Sequence, residues 1–544
     1  MSRSEIIERL LVARGITAED AEKFFNPSVS ELAKPEKLPG VIEASAAILD
    51  AVEAKKEIVV FGDYDCDGVC ATAIMTQAIG AIPGAKVTPF LPERLSEGYG
   101  MTLEAIKRMF ADTPGVGLIV TVDNGINAIE EIGALESEDI RVVVTDHHLP
   151  GDELPEATAI VNPKVASPDE FKDLCGAGVA FLLANRVIFD AKARGLYSGG
   201  SIGGPLLVLA GLATVTDIMP VRGQNRILVA EALKRFRASA PLGLRELYER
   251  AARVGSTVIT ARDFAFMLGP RINAAGRVKS GMEALELVLT ADRDIARELA
   301  RIVDLHNLER KTIEQGMTDE AMAKIVPDAP AQVIDLPNGH PGVAGIVASR
   351  VLERLEKPSP VCVIVGDHGS ARAPAGFNLR DAFVACSSVL ERYGGHAAAG
   401  GLSIAKGKID EFRKLLCDYT ASTKPCLPKS GEFDEVELWL EPTDVDLELA
   451  EEIERFEPFG EGNPEPIFGF KNVHIADLRT LGADGRHLSI GLAECPLRCV
   501  QWGGGDKIEE LRRSCDKACN LSFTVAISDY GSRHVELRLR SFST

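Results

Sequence analysis

The 544-residue sequence predicts an α/β protein with two α/β domains joined by a long helix, followed by a smaller β-rich domain. Three observations support this prediction. Short runs rich in Val and Ile alternate with helical segments between residues 57 and 163, which is typical of a parallel sheet with crossover helices. A run of strong helix formers starts near residue 282, and a second alternating region starts near residue 331. The carboxyl ends of the first set of strands are then the natural place for a site.

The elements follow in order along the chain. Helical spacing of apolar residues over 5–25 and 41–54 precedes the predicted strands EIVVFG, GLIVTVDNG, IRVVVTDHH and ATAIVNP, with helices over 70–79 and 103–109 between them. Within the long helical run, Thr290 and Asp292 predict a break and a cap. A Pro-rich linker over 420–433 leads to the last region. The predicted divisions are a helical segment 1–54, a parallel-sheet domain 55–280, a connecting helix 281–328, a second α/β domain 329–422 and a β-rich domain 430–544.

The composition excludes several classes of protein. No apolar run approaches the roughly 18 residues that a membrane helix needs. The amino terminus lacks the apolar core and cleavage site of a secretory signal, so we expect a cytoplasmic protein without a membrane partner. The formal charge of −20 disfavours nucleic-acid binding through a generally basic surface. A polyanionic substrate must instead be held by a local basic patch or by metal ions.

The 11 cysteines are scattered along the chain, which favours reduced thiols over a disulfide framework. Four of them near the carboxyl terminus have a spacing compatible with a zinc site of four thiolates. We favour the packing of small side chains as the explanation, because the spacing is loose and one of the four lies in an apolar strand. The four are Cys495, Cys499, Cys515 and Cys519.

Acidic and histidine side chains follow four apolar runs, which we interpret as strand ends. In the segment VVFGDYDCDG, alternate residues of an extended chain share a face, so its three aspartates would converge. Such crowding is relieved by cations, whereas a single acidic loop would be explained by a solvated turn. Mixed carboxylate and imidazole ligands suit Mn²⁺ better than Mg²⁺ alone, and a shared carboxylate can bridge two ions about 3.5–4 Å apart. The residues are Asp63, Asp65, Asp67, Asp123, Asp146, His147, His148 and Asp217.

The motifs DYDCDG, VDNG, TDHH and VTDIMP, in this order and spacing, resemble the four motifs of the DHH phosphoesterase superfamily. Within it, nearly the whole chain resembles the RecJ family of single-strand-specific DNA exonucleases, from LLVARGITAEDAEKFFNPS to FEPFGEGNPEPIF. The resemblance implies a DHH parallel-sheet domain and a DHHA1 α/β domain joined by a long helix, with a carboxy-terminal OB-like β-barrel domain.

The resemblance also implies roles for the acidic and histidine residues in a centre of two divalent metal ions, Mn²⁺ by preference and Mg²⁺ as the alternative. Asp63 and Asp146 would orient the ligands, and His148 would contact the scissile phosphate. The implied metal ligands, which with His148 form the catalytic set, are Asp65, Asp67, Asp123 as the bridging ligand, His147 and Asp217.

Substrate contacts are implied by two further groups of segments. GPRINAAGRVKSG offers Arg271, Asn273 and Arg277 to phosphate oxygens, although pairing of these arginines with the many carboxylates of the chain is the alternative. GHPGVAGIVASR, GSARAPAGFN and YGGHAAAGG resemble the glycine-rich segments of the DHHA1 domain that bind substrate across from the metals. The residues that these segments contribute are His340, Arg372, Asn378 and His396.

The last domain is awkward for a nucleic-acid binder, because the stretch from 431 to 466 is heavily acidic with a single arginine. Phe470, Trp502 and Tyr530 are candidates for stacking on bases. We expect the first two to be core aromatics of a small barrel instead. Contact between this domain and DNA is therefore a weak hypothesis from the sequence alone.

The resemblance implies a metal-dependent 5′-to-3′ exonuclease that degrades single-stranded DNA to mononucleotides in DNA repair and recombination, with a single-strand-binding protein and a helicase as partners. One alternative is a DHH phosphodiesterase for short oligonucleotides or cyclic dinucleotides, which would need only the two α/β domains. Another is a non-catalytic replication scaffold, which the complete set of expected ligands disfavours. Polarity, processivity, the physiological metal and the oligomeric state stay open.

Overall fold

The computed structural model describes residues 1–94, 96–98, 100–252, 258–423, 433, 435–482, 484–514, 518–528 and 533–543. The chain forms two compact units. The first contains Met1–Ala33, Ile218–Lys234 and Ser430–Thr544, and the second contains Lys34–Asp217 and Arg235–Lys429. Among the described residues, no helix combines the length and the apolar character needed to cross a bilayer.

The helices and strands are numbered in chain order. The α-helices are α1 (Arg3–Ala13), α2 (Ala21–Phe25), α3 (Val41–Glu53), α4 (Cys66–Gly80), α5 (Leu103–Asp112), α6 (Ile129–Ser137), α7 (Gly176–Ala193), α8 (Gly203–Thr216), α9 (Gly223–Ser239), α10 (Leu242–Ala251), α11 (Ala261–Asp263), α12 (Gly269–Val278), α13 (Gly281–Leu289), α14 (Arg293–Ala323), α15 (Ala344–Arg354), α16 (Leu379–Ala385), α17 (Ile409–Thr423), α18 (Leu447–Glu454) and α19 (Ile508–Ser514). The strands are β1 (Glu57–Phe61), β2 (Lys86–Phe90), β3 (Val116–Val122), β4 (Arg141–Thr145), β5 (Ala159–Val161), β6 (Gln332–Asp335), β7 (Val361–Val365), β8 (His368–Arg372), β9 (Leu390–Gly395), β10 (Ala399–Ile404), β11 (Leu438–Trp439), β12 (Phe468–Val473), β13 (Ile475–Leu481), β14 (His487–Leu492), β15 (Arg498–Gln501), β16 (Cys519–Ser528) and β17 (His534–Ser543).

The first sheet of the second unit is entirely parallel, with strand order β2-β1-β3-β4-β5. Its strands β1, β3 and β4 are continuous apolar runs because both faces of the sheet are covered. Phe61 of β1 pairs with Thr121 of β3, and Val122 of β3 pairs with Thr145 of β4. The carboxyl ends of three strands therefore lie side by side at one edge, which confirms the predicted rim.

The helical run after residue 281 forms two helices, α13 and α14, rather than one. Asp292 is the N-cap of α14, and its side chain accepts hydrogen bonds from the backbone N–H groups of Asp294 and Ile295 at 2.9 and 3.0 Å. The break and cap predicted at Thr290 and Asp292 are confirmed. The 31 residues of α14 precede the second sheet, whose order is β6-β7-β8-β10-β9. In this sheet only β6 and β7 pair in parallel.

The first unit contains a seven-stranded sheet in the order β11-β12-β16-β17-β15-β14-β13. Its core joins Ile6 and Leu10 of α1 to Phe456, Phe468 and Phe523, all of which are fully buried. The amino-terminal helix is therefore packed in the same core as the carboxy-terminal strands. A short-strand region at the carboxyl end was predicted and is confirmed, whereas its union with the amino-terminal helix was not foreseen.

A buried arginine organises the segment FEPFGEGNPEPIF in this unit. Arg226 of α9 is 4% exposed and donates from Nε to the carbonyl of Phe24 at 2.9 Å. Its two Nη groups donate to the carbonyls of Phe456, Glu457 and Pro458. Its guanidinium also lies 3.7 Å from the centroid of the Phe24 ring, a cation–π contact. The guanidinium of Arg226 thus fixes the segment by donating to three of its backbone carbonyl groups.

Candidate metal centre and substrate cleft

The first acidic motif is a strand-to-helix turn. β1 ends at Phe61 and α4 starts at Cys66, so the extended geometry that we assumed for the three aspartates is wrong beyond Asp65. Asp65 is the N-cap of α4 and accepts from Gly68 N–H at 3.0 Å. Asp67 lies in the first helical turn and is 2% exposed. The aspartates lie at the rim because α4 begins there. The preference of aspartate for the N-cap position was the sequence feature that could have predicted this helix start.

The amino terminus of α7 holds the Asp67 carboxylate. The backbone N–H groups of Gly176 and Ala177 donate to its two oxygens, each at 2.7 Å. A helix amino terminus favours negative charge, and two charge-assisted hydrogen bonds fix the orientation of the carboxylate. This element was not predicted, although Gly-Ala-Gly directly before the apolar run VAFLLA was available as a signal.

Asp123 follows β3 in a strained conformation. Its φ angle is +63°, in the left-handed region that costs a non-glycine residue about 1–3 kcal/mol. Its backbone N–H donates to the carbonyl of Thr145 at 3.0 Å, which locks the strained turn to β4. A Cβ atom on Gly176 would lie 2.6 Å from the Asp123 Cβ, so only glycine fits beneath this aspartate. The strain and the tight packing together aim one carboxylate at a defined point.

The two adjacent histidines have different surroundings. Asp146 accepts hydrogen bonds from the backbone of Ile126, His147 and His148, and its Oδ1 lies 2.8 Å from His148 Nδ1. Burial is the largest single influence on His148 and disfavours its charged form, but the hydrogen bond to Asp146 and the charges of Asp146, Asp217 and Asp67 together raise the pKa of His148 to about 9. Burial lowers the pKa of His147. At neutral pH the pair therefore consists of a neutral imidazole and a cationic one.

His147 is the meeting point of three carboxylates. Its Nε2 lies 3.1 Å from Asp123 Oδ1 and 3.7 Å from both Asp67 Oδ2 and Asp217 Oδ2. Asp217 comes from the carboxyl end of α8, so our interpretation of the fourth apolar run as a strand is wrong. A fully buried apolar run has the same composition in a helix and in a strand, which is why the sequence did not separate them.

Potential ligand atoms gather in three overlapping groups, in each of which all atoms lie within 4.8 Å of one another. Asp123 and His147 belong to two groups each, so the groups form one cluster. The structure thus brings together every residue that we expected to ligate metal, with Asp63 and His148 beside them. The groups are Asp67, His147 and Asp217; Asp123, His147 and His148; and Asp63, Asp65 and Asp123.

The electrostatics of the cluster fit a pair of cations. Burial, followed by the charges of Asp67 and Asp65, raises the pKa of Asp217 to about 8 and that of Asp123 well above its usual value. Asp123 Oδ1 is buried and accepts no hydrogen bond from any described residue, although His147 Nε2 is close. A divalent cation that both atoms bind as adjacent ligands would satisfy their lone pairs. Carboxylate oxygens with one imidazole are the donor set of Mn²⁺ and related divalent ions.

The three residues of α12 that we predicted to contact substrate have different partners in the structure. Asn273 Oδ1 accepts from Cys66 N–H at 2.6 Å and so stabilises the start of α4. Arg271 pairs with Asp304 at 2.9 Å, as in the alternative that we kept open. Arg277 donates to the carbonyl of Gly342 at 3.1 Å. Burial, followed by the charge of Arg94, lowers the pKa of Arg277 to about 10, so this side chain is cationic at neutral pH.

The residues predicted from the DHHA1-like segments also occupy different settings. His340 Nδ1 accepts from Gly342 N–H at 3.2 Å, and Arg372 Nη1 donates to the carbonyl of Ala371. Asn378 is the N-cap of α16, where its side chain accepts from Arg380 N–H. His396 is exposed in the turn between β9 and β10. Helix capping by Asn378 is a structural role that the segment alone did not indicate.

A cleft of about 620 Å³ lies between the DHH-like and DHHA1-like segments of the second unit, and both Tyr64 and Arg94 line it. Arg94 lies 5.4 Å from the centroid of the Tyr64 ring. Burial is the largest cause that lowers the pKa of Arg372 and of Arg277, and the charge of Arg94 is the second in both cases. The three guanidinium groups are therefore within electrostatic reach of one another. Arg94 was not predicted from the sequence, because a single arginine in a loop carries no pattern that sets a substrate contact apart from a surface residue.

The aromatic residues of the carboxy-terminal strands divide in an unexpected way. Phe470 is fully buried, which confirms that it belongs to the core. Trp502 is 57% exposed, so our expectation that it is a core residue is wrong. Its ring meets His487 edge to face at 4.9 Å, and His487 Nδ1 accepts from Gly503 N–H. Tyr530 lies outside the described residues.

The cysteines of this region give no sign of a zinc site in the part of the chain that the structure describes. Cys499 and Cys519 are buried in strands, and Cys495 is half-buried. No group of three potential ligands near them meets the distance expected for a shared ion among the described residues. Cys515 lies outside those residues, so the four-thiolate hypothesis is not tested.

Comparison with known proteins gives matches along the chain. Residues 57–199 match the model of the DHH family, N-terminal domain; residues 328–422 match the DHHA1 domain; and residues 436–541 match the RecJ OB domain. A RecJ from Dickeya dadantii is 33% identical, over 98% of this chain and 95% of the relative. A RecJ from Bacillus subtilis is also 33% identical, over 92% of this chain. The chain spans only 63% of the length of that second relative.

A solved structure agrees with these matches. The crystal structure of RecJ from Thermus thermophilus in complex with Mn²⁺ superposes with a TM-score of 0.84 at 31% identity. The alignment covers 99% of this chain and 76% of that one. These findings confirm the predicted fold class and the resemblance on which the domain names rest. The chain therefore belongs to the RecJ family.

Proposed function

We propose that this protein is a metal-dependent exonuclease that hydrolyses single-stranded DNA from its 5′ end to mononucleotides, in DNA repair and recombination. The observation that carries the proposal is the cluster of carboxylates around His147, with the unsatisfied Asp123 Oδ1 at its centre. The names of the relatives, which describe exonucleases specific for single-stranded DNA, support the substrate. A DHH phosphodiesterase for dinucleotides is an outcome that the experiment below distinguishes.

The residues proposed to hold two divalent ions are Asp65, Asp67, Asp123, His147 and Asp217. Such ions lower the pKa of bound water and neutralise charge on the phosphate. Asp67 is suited to this role because Gly176 and Ala177 hold it from behind with their N–H groups. His147 is suited because a neutral imidazole has a free lone pair. Asp123 lies nearest to His147 and is the proposed bridging ligand.

His148 is proposed to stabilise the phosphate through a hydrogen bond. The contact between its Nδ1 and Asp146 fixes the ring, and a protonated imidazole also carries an N–H donor at Nε2. A pKa of about 9 keeps this ring protonated at neutral pH. A cationic donor near the reacting phosphate is complementary to the negative charge that increases in the transition state. Asp146 acts through His148 and is a positioning residue.

The cleft is proposed to bind the sugar-phosphate chain. Arg94 and Arg392 line the cleft, and Arg277 and Arg372 lie within electrostatic reach of Arg94. Together they supply a local basic patch in a protein that is acidic overall. Tyr64 and the exposed Tyr393 also line it and offer rings to bases. His340, Asn378 and His396 stay proposed substrate contacts from the family resemblance, as do Arg271 and Asn273.

The remaining expectations are part of the same proposal. A helicase would generate the substrate, since a nuclease for single strands needs duplex DNA to be unwound, and a single-strand-binding protein would present the separated strand. The domain divisions 1–54, 55–280, 281–328, 329–422 and 430–544 stay predictions, as does a cytoplasmic location.

The proposal is tested by digestion of end-labelled single strands, duplexes and dinucleotides with Mn²⁺ or Mg²⁺. We expect wild-type protein to degrade single strands and to spare duplexes. Asp67→Asn keeps the shape of the side chain but loses its charge, and should reduce the rate by about 10²–10³-fold. Asp152→Asn, a change of the same kind at an exposed loop position, is the matched control.

Two outcomes would contradict the proposal. A preference for dinucleotides over longer single strands would reassign the substrate to the phosphodiesterase alternative. Equal rates for Asp67→Asn and Asp152→Asn would remove the active-site assignment, provided that both variants melt at the temperature of the wild type.

A further inference from the structure

A groove of about 620 Å³ lies along the amino-terminal helix of the first unit. Its apolar floor comes from Ile7, Leu11 and Ile16. Ile7 and Leu11 are only partly buried where they pack on the core. Val12 lines the same groove and is 70% exposed, a high value for an isopropyl side chain. An apolar, concave surface of this kind is typical of a site that a helical segment covers.

The groove has an acidic rim. Glu8 and Glu452 line it, and Glu8 makes no ion pair with any described residue. The cations in the neighbourhood are already engaged: Arg3 pairs with Asp446 and Glu448, and Arg455 pairs with Glu452. In the two segments that build the groove, 3–25 and 446–455, ten carboxylates face five basic residues. The local field around the apolar floor is therefore negative.

The negative charge of the rim limits which kinds of molecule can bind in the groove. Nucleic acid carries one negative charge per phosphate and would be repelled, as would an anionic lipid surface. A second copy of the chain would bring the same acidic rim against itself, which is costly for like charges in an interface. A basic amphipathic helix would place apolar residues on the floor and Lys or Arg against the rim. The three turns of α1 give the groove a length of about 16 Å, which matches a helix of similar size.

We propose that this groove docks a basic amphipathic helix of a partner protein. The floor would take side chains at positions i, i+3, i+4 and i+7 of that helix, and Glu8 with Glu452 would bind its cationic flanks. None of the residues that line the groove is among those assigned to hydrolysis. A helix bound there would tether the nuclease to another protein through residues that the proposed reaction does not use.

The test uses full-length protein and a labelled three-turn peptide with Leu at the four helical positions and Lys elsewhere, followed by fluorescence anisotropy at physiological salt. Val12→Asp should weaken binding about tenfold, since a valine contact is lost. This variant also adds negative charge, so unspecific attraction to an acidic protein would instead strengthen binding. Val326→Asp, at a 57% exposed valine in the second unit, is the matched control and should leave the affinity unchanged.

A second pair of variants tests the rim. Glu8→Lys should weaken the binding of the Lys peptide and strengthen the binding of a peptide in which Glu replaces Lys. Glu356→Lys, at an exposed position elsewhere, should change the binding of neither peptide. Equal affinities of Val12→Asp and Val326→Asp would overturn the proposal. So would concentration-dependent dimerisation in sedimentation that Val12→Asp abolishes, because the occupant would then be a second copy. Nuclease activity of Val12→Asp should equal that of the wild type.

Discussion

The glycine at the start of α7 gives the sharpest test of how the metal centre is positioned. In Gly176→Ala, the new Cβ would lie 2.6 Å from the Asp123 Cβ and 2.7 Å from its Oδ1. Ordinary contact begins at 3.4 Å, so the first of these distances must open by about 0.8 Å. The backbone N–H that Gly176 donates to Asp67 is retained. The substitution therefore displaces one carboxylate and leaves the hydrogen bond to the other in place.

We expect Gly176→Ala to lose activity much more than stability. A displacement approaching 1 Å at a reacting centre can cost about 10²-fold in rate, while overpacking costs about 1–3 kcal/mol of folding free energy. The rate is measured on end-labelled single-stranded DNA, and Mn²⁺ affinity is measured by the thermal shift that the ion produces. Both should fall while the far-ultraviolet circular dichroism is unchanged.

Gly133→Ala is the matched control, because Gly133 lies within α6 and a Cβ there would meet nothing within 4 Å. It should be neutral, or stabilising by about 0.5–1 kcal/mol, since alanine restricts the unfolded chain. Wild-type activity and Mn²⁺ affinity in Gly176→Ala would refute the reasoning. That result would mean that the close packing of Gly176 against Asp123 does not determine the position of the Asp123 carboxylate.

Three further predictions follow. Asn273→Ala should lower the melting temperature and kcat and also raise KM for DNA, because the side chain accepts the Cys66 N–H at the start of α4 in addition to its proposed contact with substrate; a raised KM with an unchanged melting temperature would contradict the capping role. Trp502→Ala should weaken binding of single strands by about 1–3 kcal/mol, with Trp502→Phe largely restoring it, and equal affinities in a filter-binding assay would exclude base stacking there. The metal-free protein should lose stability as pH rises from about 4 to about 8. The raised pKa of Asp217 means that the folded state keeps a proton that the unfolded state has released, so each such group contributes a slope of about −1.4 kcal/mol per pH unit. Added Mn²⁺ should reverse that trend in thermal melts, because its ligands must be deprotonated; an unchanged slope with the ion present would argue against carboxylate ligation.

The sequence was sufficient for the identity of the clustered side chains but not for the way in which they converge. Asp123 and Asp146 were found because a polar residue after a buried strand is conspicuous. Asp67 and Asp217 converge by helical geometry instead, one in the first turn of α4 and the other after the last turn of α8. Apolar runs do not distinguish a buried helix from a buried strand, so the clustering of these residues was predicted from a partly wrong local structure.

Residues whose partners are distant in sequence were the hardest to predict. Arg271 pairs with Asp304, which lies 33 positions away on another helix. Arg94 is a single arginine in a loop, and only the folded chain shows that it shares a cleft with Tyr64. Trp502 was assigned to the core because tryptophan is usually well buried, and exposure is a property of the whole surface. In each case the missing information was tertiary proximity, which local patterns do not contain.

The two adjacent histidines show how little separates a ligand from a donor. His147 and His148 differ by one position, yet Asp146 contacts the ring of His148 and not that of His147. That hydrogen bond, together with the charges of Asp146, Asp217 and Asp67, offsets the effect of burial and raises the pKa of His148, whereas burial lowers the pKa of His147. A cationic imidazole cannot bind a metal ion, and a neutral one is the weaker donor to a phosphate. Under the proposed assignment, the Asp146 carboxylate helps to decide which histidine binds metal and which contacts the phosphate, and all three residues lie within the sequence TDHH.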